Sequence, residues 1–346
     1  MFKRMQEMQC AAVHCFSSDD HGVPFRAFIV IHNTDRGPAL GGCRFLPYSH
    51  EQLALQDAMR LAQGMSFKAA LADIPFGGGK AVLPEPEQPY DRGALFRWFA
   101  SCVDSLGGRY ITAMDAGTQV SDMDQIAQTT PHVASHSAIG DPSAYTARGV
   151  FAGIRAALEF RLQKEASQAD VAIQGLGHVG FELTRLLLRA GARVWVADPD
   201  LQACDKAAAL GARVVATDEI TTLAVDALAP CALGGVLDGI TIGALQCPIV
   251  AGCANNQLAT AECGDQLATR AILYAPDYVI NSGGLIYAAG RYRGLAADQI
   301  EEQVDAIYYR LLKIFVAAQS RQAGSHRIAE EQARRILASD HLRLSA

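Results

Sequence analysis

The sequence predicts a two-domain α/β protein whose second domain is a doubly wound parallel sheet. Three observations carry this expectation. At 346 residues the chain is long for one compact core. From Val171 onward short apolar strands alternate with helical segments, the order that builds a parallel sheet covered on both faces. The first third instead mixes strands with longer helices. No Pro/Ser linker marks the change of pattern, which falls near residue 140. The expected division is 1–139 and 140–319, with the helical segment 320–346 able to return to the first domain.

In the first domain, Phe25 to His32 reads as a strand with Phe25, Ala27, Ile29 and Ile31 on one side. Gly41-Gly42 reads as a turn. Apolar residues from Glu51 to about Leu71 recur at helical spacing, and Leu61, Met65 and Lys68 fall on one stripe. Pro75-Phe76-Gly77-Gly78-Gly79 is expected to break the chain before a short strand at Ala81–Leu83. A helix over Asp91–Leu106 and a strand over Tyr110–Ala113 follow, and the strand delivers Asp115 into a glycine-containing turn.

In the second domain a long helix, Tyr145–Phe160, precedes strands at Val171–Gln174, Arg193–Ala197 and Arg213–Val215, with helices at Gly180–Ala190 and Leu201–Leu210. Further strands are expected near Val225–Leu228, Pro248–Ala251 and Ile272–Ala275. The segment from Asp298 to Arg343 is helical and charged.

Composition narrows the function classes. Half the residues are apolar and 19% are charged, as in an ordinary globular enzyme. A net charge of −6 with no basic run argues against a duplex nucleic-acid partner. The nine cysteines are scattered with no Cys-x-x-Cys pair, which points to a reduced cytoplasmic protein without a zinc site. The longest uncharged stretch, Gly239 to Ala261, is interrupted by Pro248, Asn255 and Asn256, so it suits a buried strand with loops and no membrane span.

Gly175-Leu176-Gly177-His178-Val179-Gly180 is a G-x-G-x-x-G string, weak evidence alone. Here an apolar strand leads in, an apolar-striped helix leads out, and a second strand ends in Asp198, 23 residues beyond Gly175. Gly175 allows the tight turn, Gly177 a close backbone approach to a pyrophosphate, and Gly180 close helix–strand packing. The helix N-terminus favours phosphate. A carboxylate at Asp198 accepts ribose hydroxyls and repels a 2′-phosphate, so the Rossmann-type reading favours NAD over NADP. Arg193 and Lys206, close by in sequence, leave a phosphate possible.

Outside this unit, Lys80 follows three glycines, Lys68 sits on an apolar helical stripe, and Asp115 ends a strand. An ammonium on a buried stripe needs an anionic partner. A lone lysine is more often a solvated surface charge, and these environments alone fit either reading.

The string of motifs resembles the glutamate/leucine/phenylalanine/valine dehydrogenase family, within it the leucine dehydrogenases most. The resemblance rests on Gly37-Pro38-Ala39-Leu40-Gly41-Gly42, Gly64-Met65-Ser66-Phe67-Lys68, Gly77-Gly78-Gly79-Lys80, Gly108-Arg109-Tyr110-Ile111-Thr112-Ala113 and Asp115-Ala116-Gly117-Thr118. Ala229-Pro230-Cys231-Ala232-Leu233-Gly234-Gly235, Ala254-Asn255-Asn256-Gln257-Leu258 and Tyr274 to Gly284 continue it. It implies a substrate domain and a dinucleotide-binding domain with the active cleft between them.

The implied chemistry is the oxidative deamination of an L-amino acid to a 2-oxo acid and ammonia, by a homo-oligomer. By resemblance Lys68 holds the substrate α-carboxylate with Asn256 and the backbone of Gly41 and Gly42. Lys80 activates water and Asp115 shuttles protons. Asn255 contacts the nicotinamide carboxamide, and Thr146, Cys231, Ala232, His178 and Val179 line the dinucleotide.

The implied side-chain pocket is Leu40, Met65, Ala113, Leu285 and Ala288, all apolar, which disfavours glutamate and favours leucine or another branched aliphatic. A phenylalanine-type or tryptophan-type enzyme is the alternative within the family, and a non-catalytic NAD-binding regulator the alternative outside it. The chain departs from the family pattern at Met114, where an acid is usual, at Ala116, and at Gly140-Asp141-Pro142-Ser143-Ala144. The segment after the expected Asp122–Thr130 helix is also short. Leu285 and Ala288 replace a usual pair of valines.

Overall fold

The computed structural model describes residues 1–20, 22–232 and 234–345. Leu233, inside one of the family motifs, lies outside the described residues. The chain divides into two compact units, one of residues 1–141, 288–295 and 333–346, the other of 142–287 and 296–332.

The first unit contains α1 (Phe2–Glu7), β1 (Ala12–Asp20), β2 (Val23–Asn33), β3 (Ala39–Leu46), α2 (Glu51–Leu71), β4 (Gly77–Pro84), α3 (Arg92–Asp104), β5 (Tyr110–Met114) and α4 (Val120–Ala127). Its five strands form a mixed sheet in the order β1-β2-β4-β3-β5. The β1/β2 and β2/β4 pairs are antiparallel, whereas β3 runs parallel to both β4 and β5.

Strand alternation sends the two sets of side chains to opposite faces. Phe25, Ala27, Ile29, Ile31, Cys43, Phe45, Ala81 and Leu83 pack against Leu95, Phe96, Phe99 and Val103 of α3. Val30 and Val82 point the other way, onto Ala54, Ala58, Met59 and Ala62 of α2. The alanine-rich stripe lets α2 lie close to the sheet.

Gly41 and Gly42 do not turn the chain; they sit inside β3. Gly77, Gly78 and Gly79 do not break it either; they begin β4. Glycine is needed here because neighbouring backbone occupies the side-chain space. A Cβ at Gly41 would lie 1.7 Å from the Gly79 carbonyl oxygen, and one at Gly78 would lie 2.1 Å from the Ser66 nitrogen of α2. Glycine's loop-forming habit hides a tightly packed strand pair. β1, which the sequence reading did not anticipate, is an edge strand whose apolar residues, Ala12, Val13, Cys15 and Phe16, do not alternate along the sequence.

The second unit opens with α5 (Ser143–Leu162) and β6 (Asp170–Gln174), then α6 (His178–Arg189), β7 (Arg193–Ala197), α7 (Leu201–Ala209), β8 (Arg213–Val214) and β9 (Ala227–Pro230). It continues through α8 (Gly239–Ala244), β10 (Ile249–Val250), α9 (Ala261–Thr269), β11 (Leu273–Tyr274), α10 (Asp277–Ile280), α11 (Gly283–Tyr292), α12 (Ala297–Asp305), α13 (Ile307–Arg321) and α14 (Ser325–Ser345). The last residues of α11 and α14 belong to the first unit.

The six strands are all parallel, ordered β8-β7-β6-β9-β10-β11, so the winding reverses between β6 and β9. Such a reversal opens a crevice at the carboxyl ends of the strands, where dinucleotides bind in doubly wound sheets. The start of the stretch expected to be strand with loops is instead α8, because the Asp238 carboxylate accepts the Thr241 N–H at 2.7 Å and caps a helix. Among the described residues no helix is long and apolar enough to cross a membrane.

Two glycines of the first unit behave oppositely. Gly78→Ala drives a methyl into the α2 backbone and is expected to destabilise by about 1–3 kcal/mol. Gly64 lies within α2 with nothing inside 4 Å of its missing Cβ, so Gly64→Ala is expected to stabilise by about 0.5–1 kcal/mol. Urea denaturation of the two variants beside the parent checks both signs.

Candidate active site

The first unit builds its polar cluster on the sheet face covered by α2. Leu40 and Gly78 are register partners, as are Gly42 and Ala113, and period-two alternation then puts Lys80, Gly42, Arg44, Ala113 and Asp115 on that same face. β3 lies between β4 and β5, so a side chain from Lys80 must pass over β3 to reach Asp115, across two strand spacings of about 4.8 Å each. Gly42 leaves the path clear, since a Cβ there would stand 2.8 Å from the Asp115 Cβ. The Lys80 ammonium accordingly lies 2.8 Å from Asp115 Oδ2. Lys80 is only 5% exposed, and an ammonium this deep requires the carboxylate.

Asp115 is held from several sides. Its N–H donates to the Thr118 hydroxyl at 2.9 Å, and that hydroxyl lies 2.7 Å from the Asp115 carbonyl oxygen and 3.2 Å from that of Cys43. Arg44 Nε donates to Asp115 Oδ2 at 3.0 Å while the same guanidinium donates to Asp57 Oδ2 at 2.9 Å. Asp57 also takes the Tyr48 hydroxyl at 2.7 Å and Arg60 at 3.0 Å. Burial pushes the Asp115 carboxyl up, but the Lys80 ammonium and Arg44 guanidinium outweigh it and hold it below the ordinary carboxylate value. A fully buried tyrosine, Tyr110, donates its hydroxyl to the Gly41 carbonyl at 2.7 Å and pins the glycine pair.

Met65 and Lys68 lie one turn apart on α2 and are both half-buried. The Met65 side chain comes within 3.4 Å of the space above Gly41. Leu40 is 1% exposed, so it forms the floor of this face, and Ala113 is half-buried beside it.

The second unit assembles its own cluster at the β6/β9 reversal. Gly175 has φ +101°, in the left-handed region that favours glycine, and a Cβ there would meet Ala232 at 2.8 Å. A Cβ at Gly180 would lie 2.0 Å from the Gly175 carbonyl oxygen, so α6 packs directly on the loop. At Gly177, the cap of α6, there is open space, and no side chain caps the helix. A helix N-terminus without a side-chain cap and with no Cβ in the way suits a pyrophosphate.

Asp198 follows β7 and receives the Leu176 N–H at 2.6 Å on one carboxylate oxygen and the Asp200 N–H at 2.8 Å on the other. Each oxygen keeps a lone pair for a hydroxyl. Arg193 is at the opposite end of β7, where it forks onto Asp170, its register partner at the start of β6. It is therefore at the far end of β7 from the glycine loop. Lys206 is exposed on α7.

His178 is exposed and Val179 half-buried at the start of α6. Cys231 and Ala232 follow β9 against the glycine loop, and the Cys231 N–H donates to the Gln174 carbonyl at 2.7 Å. Asn255 accepts the Asn281 amide at 2.8 Å, and Asn256 is exposed with φ +52°. The Thr146 hydroxyl donates to the Pro142 carbonyl at 3.1 Å and faces Gly284.

Residues 7–132 match the family model described as Glu/Leu/Phe/Val dehydrogenase, dimerisation domain, and residues 198–303 match the model for Glutamate/Leucine/Phenylalanine/Valine dehydrogenase. The chain belongs to the Glu/Leu/Phe/Val dehydrogenase family. Among its relatives is the L-tryptophan dehydrogenase of Nostoc punctiforme, 43% identical over 342 residues and 96% of each chain. A crystal structure of that species' L-tryptophan dehydrogenase superposes with a TM-score of 0.88, at 40% identity over 99% of both chains. The leucine dehydrogenase of Thermoactinomyces intermedius is 40% identical over 89% of this chain and 86% of its own. The phenylalanine dehydrogenase of Bacillus thermotolerans is 40% identical over 92% of this chain and 85% of its own. Gly175 to Gly180 lies outside both matched spans, so its dinucleotide reading rests on its own geometry.

In this member of the family, the sequence reading missed Arg44, Asp57 and Tyr48, and it named Tyr110 only within a strand and a motif, without its hydrogen bond to the glycine pair. The signal was present: Arg44 is two residues beyond Gly42 and so shares its face, but only once Gly42 is known to be in a strand. On α11, Leu285 and Ala288 are three residues apart and half-buried, the spacing of one helical face.

Because Asp115 is held below its ordinary value, its contribution to stability is present above the unfolded pKa and is lost as pH falls through the folded one. Arg44→Gln removes one of the two cations and is expected to raise the Asp115 pKa by about one unit or more. Carboxyl 13C titration of Asp115 in the parent and the variant measures the shift; an unmoved curve would assign the depression to Lys80 alone.

Proposed function

We propose that the protein is an NAD-dependent dehydrogenase that oxidatively deaminates an apolar L-amino acid to the 2-oxo acid and ammonia, and runs the reverse reductive amination. The observation that carries this is the buried Lys80–Asp115 pair, 2.8 Å apart across a strand emptied by Gly42. A fold-stabilising ion pair has no need for the cleared strand between its partners. When bound, the nicotinamide supplies the acceptor for the hydride leaving Cα.

The protein's own groups do the acid–base work. The Lys68 ammonium holds the substrate α-carboxylate, with the Gly41 and Gly42 backbone and Asn256 as further contacts. Lys80 orients the water that adds to the oxidised carbon. Asp115, kept ionised by Lys80 and Arg44, takes the proton from the substrate nitrogen and returns it as ammonia leaves. Asp198, with a free lone pair on each oxygen, supports NAD over NADP, as does the distance of Arg193 from the loop. In the dinucleotide unit, Thr146, Cys231, Ala232 and Asn255 serve the cofactor. The dimerisation-domain match supports a homo-oligomer.

For the side chain, Leu40, Met65, Ala113, Leu285 and Ala288 offer no cation to a γ-carboxylate, which argues against glutamate. Leucine or another branched aliphatic is the reading we favour. The tryptophan dehydrogenase relative at 43% identity favours an aromatic substrate as the second reading. One methylene separates such substrates by only about 1–3 kcal/mol, so measurement decides.

The test is NADH formation at alkaline pH with NAD and a panel of L-leucine, valine, phenylalanine, tryptophan and glutamate. Highest kcat/KM for leucine or valine supports the first reading and an aromatic lead supports the second. A glutamate lead overturns both, and silence across the panel points to a non-catalytic NAD-binding regulator. Lys80→Ala and Asp115→Asn are each expected to lower kcat by about 10²–10⁴-fold with NADH affinity retained. Asp198→Ala is expected to weaken NAD and narrow the gap to NADP in the same assay.

A further inference from the structure

Scattered in sequence, two of the nine cysteines come together beside the dinucleotide loop. β9 and β10 are adjacent parallel strands, with Ala227 opposite Ile249 and Leu228 opposite Val250. Their pairing runs on past both ends. The Ala251 N–H donates to the Leu228 carbonyl at 2.8 Å and the Ala254 N–H to the Pro230 carbonyl at 3.0 Å. Cys231 follows Pro230, and Cys253 lies between Ala254 and Gly252, where a Cβ would stand 2.2 Å from the Pro230 carbonyl oxygen, so the two cysteines flank the same point of contact. Adjacent strands run about 4.8 Å apart, within the Cα separation a disulfide spans.

The Cys253 Sγ lies 3.9 Å from the Cys231 carbonyl oxygen. Neither residue is in a disulfide and both are half-buried, unlike Cys43, Cys102, Cys204, Cys247 and Cys263, which are buried. The Cys231 thiol is held below its ordinary value, first by a hydrogen bond with the Cys253 thiol, against burial and with help from the Cys253 backbone. A thiolate is the nucleophile in thiol oxidation.

We propose that Cys231 and Cys253 form an oxidisable dithiol site, which reacts with a hydroperoxide to close a disulfide at the mouth of the dinucleotide loop. The Cys231 thiolate attacks the hydroxyl oxygen of the peroxide and the O–O bond breaks. The leaving oxygen takes up the proton that the thiol gave up, so the products are a sulfenic acid and one molecule of alcohol or, from hydrogen peroxide, water. The Cys253 sulfur then attacks the sulfenic sulfur, an S–S bond forms, and the hydroxyl leaves as water with the Cys253 proton. Two thiols are oxidised and one peroxide is reduced.

The consequence for the cofactor rests on the reading of Gly175–Gly180 as the dinucleotide loop. Cys231 Cβ is 3.3 Å from the space above Gly180, and its neighbour Ala232 seats against Gly175. On the other side, Asn281 donates to the Cys253 carbonyl at 3.0 Å and to Asn255 at 2.8 Å. Joining the sulfurs draws on both groups at once, so the oxidised protein binds NADH more weakly.

The experiment treats the full-length protein with hydrogen peroxide, alkylates the remaining thiols and maps the peptides. No lysine or arginine stands between Arg213 and Arg270, so cleavage before Asp238 is used to separate the two cysteines. The expected product is a cross-link between the Cys231 peptide and the peptide carrying Cys253, reversed by dithiothreitol and absent in Cys253→Ala. NADH titration is expected to show about tenfold weaker binding after oxidation, while Cys253→Ala keeps its affinity under peroxide.

Alkylation of both cysteines after peroxide, or a cross-link to another cysteine, overturns the site. A Cys231–Cys253 cross-link with unchanged NADH affinity overturns its coupling to the loop. Should the untreated protein bind no NADH, the dinucleotide reading fails, and the peptide map still decides the dithiol.

Discussion

The first unit depends on a strand without side chains. β3 runs between the strands that carry Lys80 and Asp115, and any Cβ at Gly42 would press on Asp115. With that space open, a lysine long enough to span two strand spacings reaches its carboxylate over the sheet surface. The same economy of side chains at Gly41 and Gly78 lets β3, β4 and α2 approach at backbone distance. Close packing and the polar pair therefore share one cause.

Around that pair the charges are arranged in series. Arg44 bridges Asp115 and Asp57, and Asp57 is anchored by Tyr48 and Arg60. A guanidinium suits this position because its planar fork can address two carboxylates at fixed angles, which a lysine ammonium does less specifically. The result is a carboxylate that is partly buried yet ionised, with its backbone tied into the Thr118 turn. In the second unit the reversal of strand order does the equivalent work. It parts the loops after β6 and β9, and the glycines close the remaining space by packing α6 and Ala232 onto Gly175.

Much of this was legible in the sequence because it is local. The spacing of Gly175, Gly177, Gly180 and Asp198 specifies a strand, a turn, a helix and a second strand, each formed by nearby residues. The helix Glu51–Leu71 was legible from its periodicity, and the alternation in Phe25–His32 from its buried half. Gly41-Gly42 and Gly77–Gly79 were misread as turn and breaker, since glycine's preference for loops says nothing about a strand whose neighbours fill its side-chain space. The start of the 239–261 stretch was misread because the cap from Asp238 outweighed its apolar, strand-like composition.

The sequence by itself determined the α/β class, the order of elements and the residue types available for chemistry, because periodicity, caps and glycine spacing act over a few residues. Only the tertiary structure decided which of those residues meet. Lys80 and Asp115 are 35 positions apart, Arg44 reaches Asp115 over 71, and Cys231 and Cys253 are 22 apart. Strand order and register make these pairs, and both are set by how whole faces of sheets and helices bury one another, a property no short window of sequence contains.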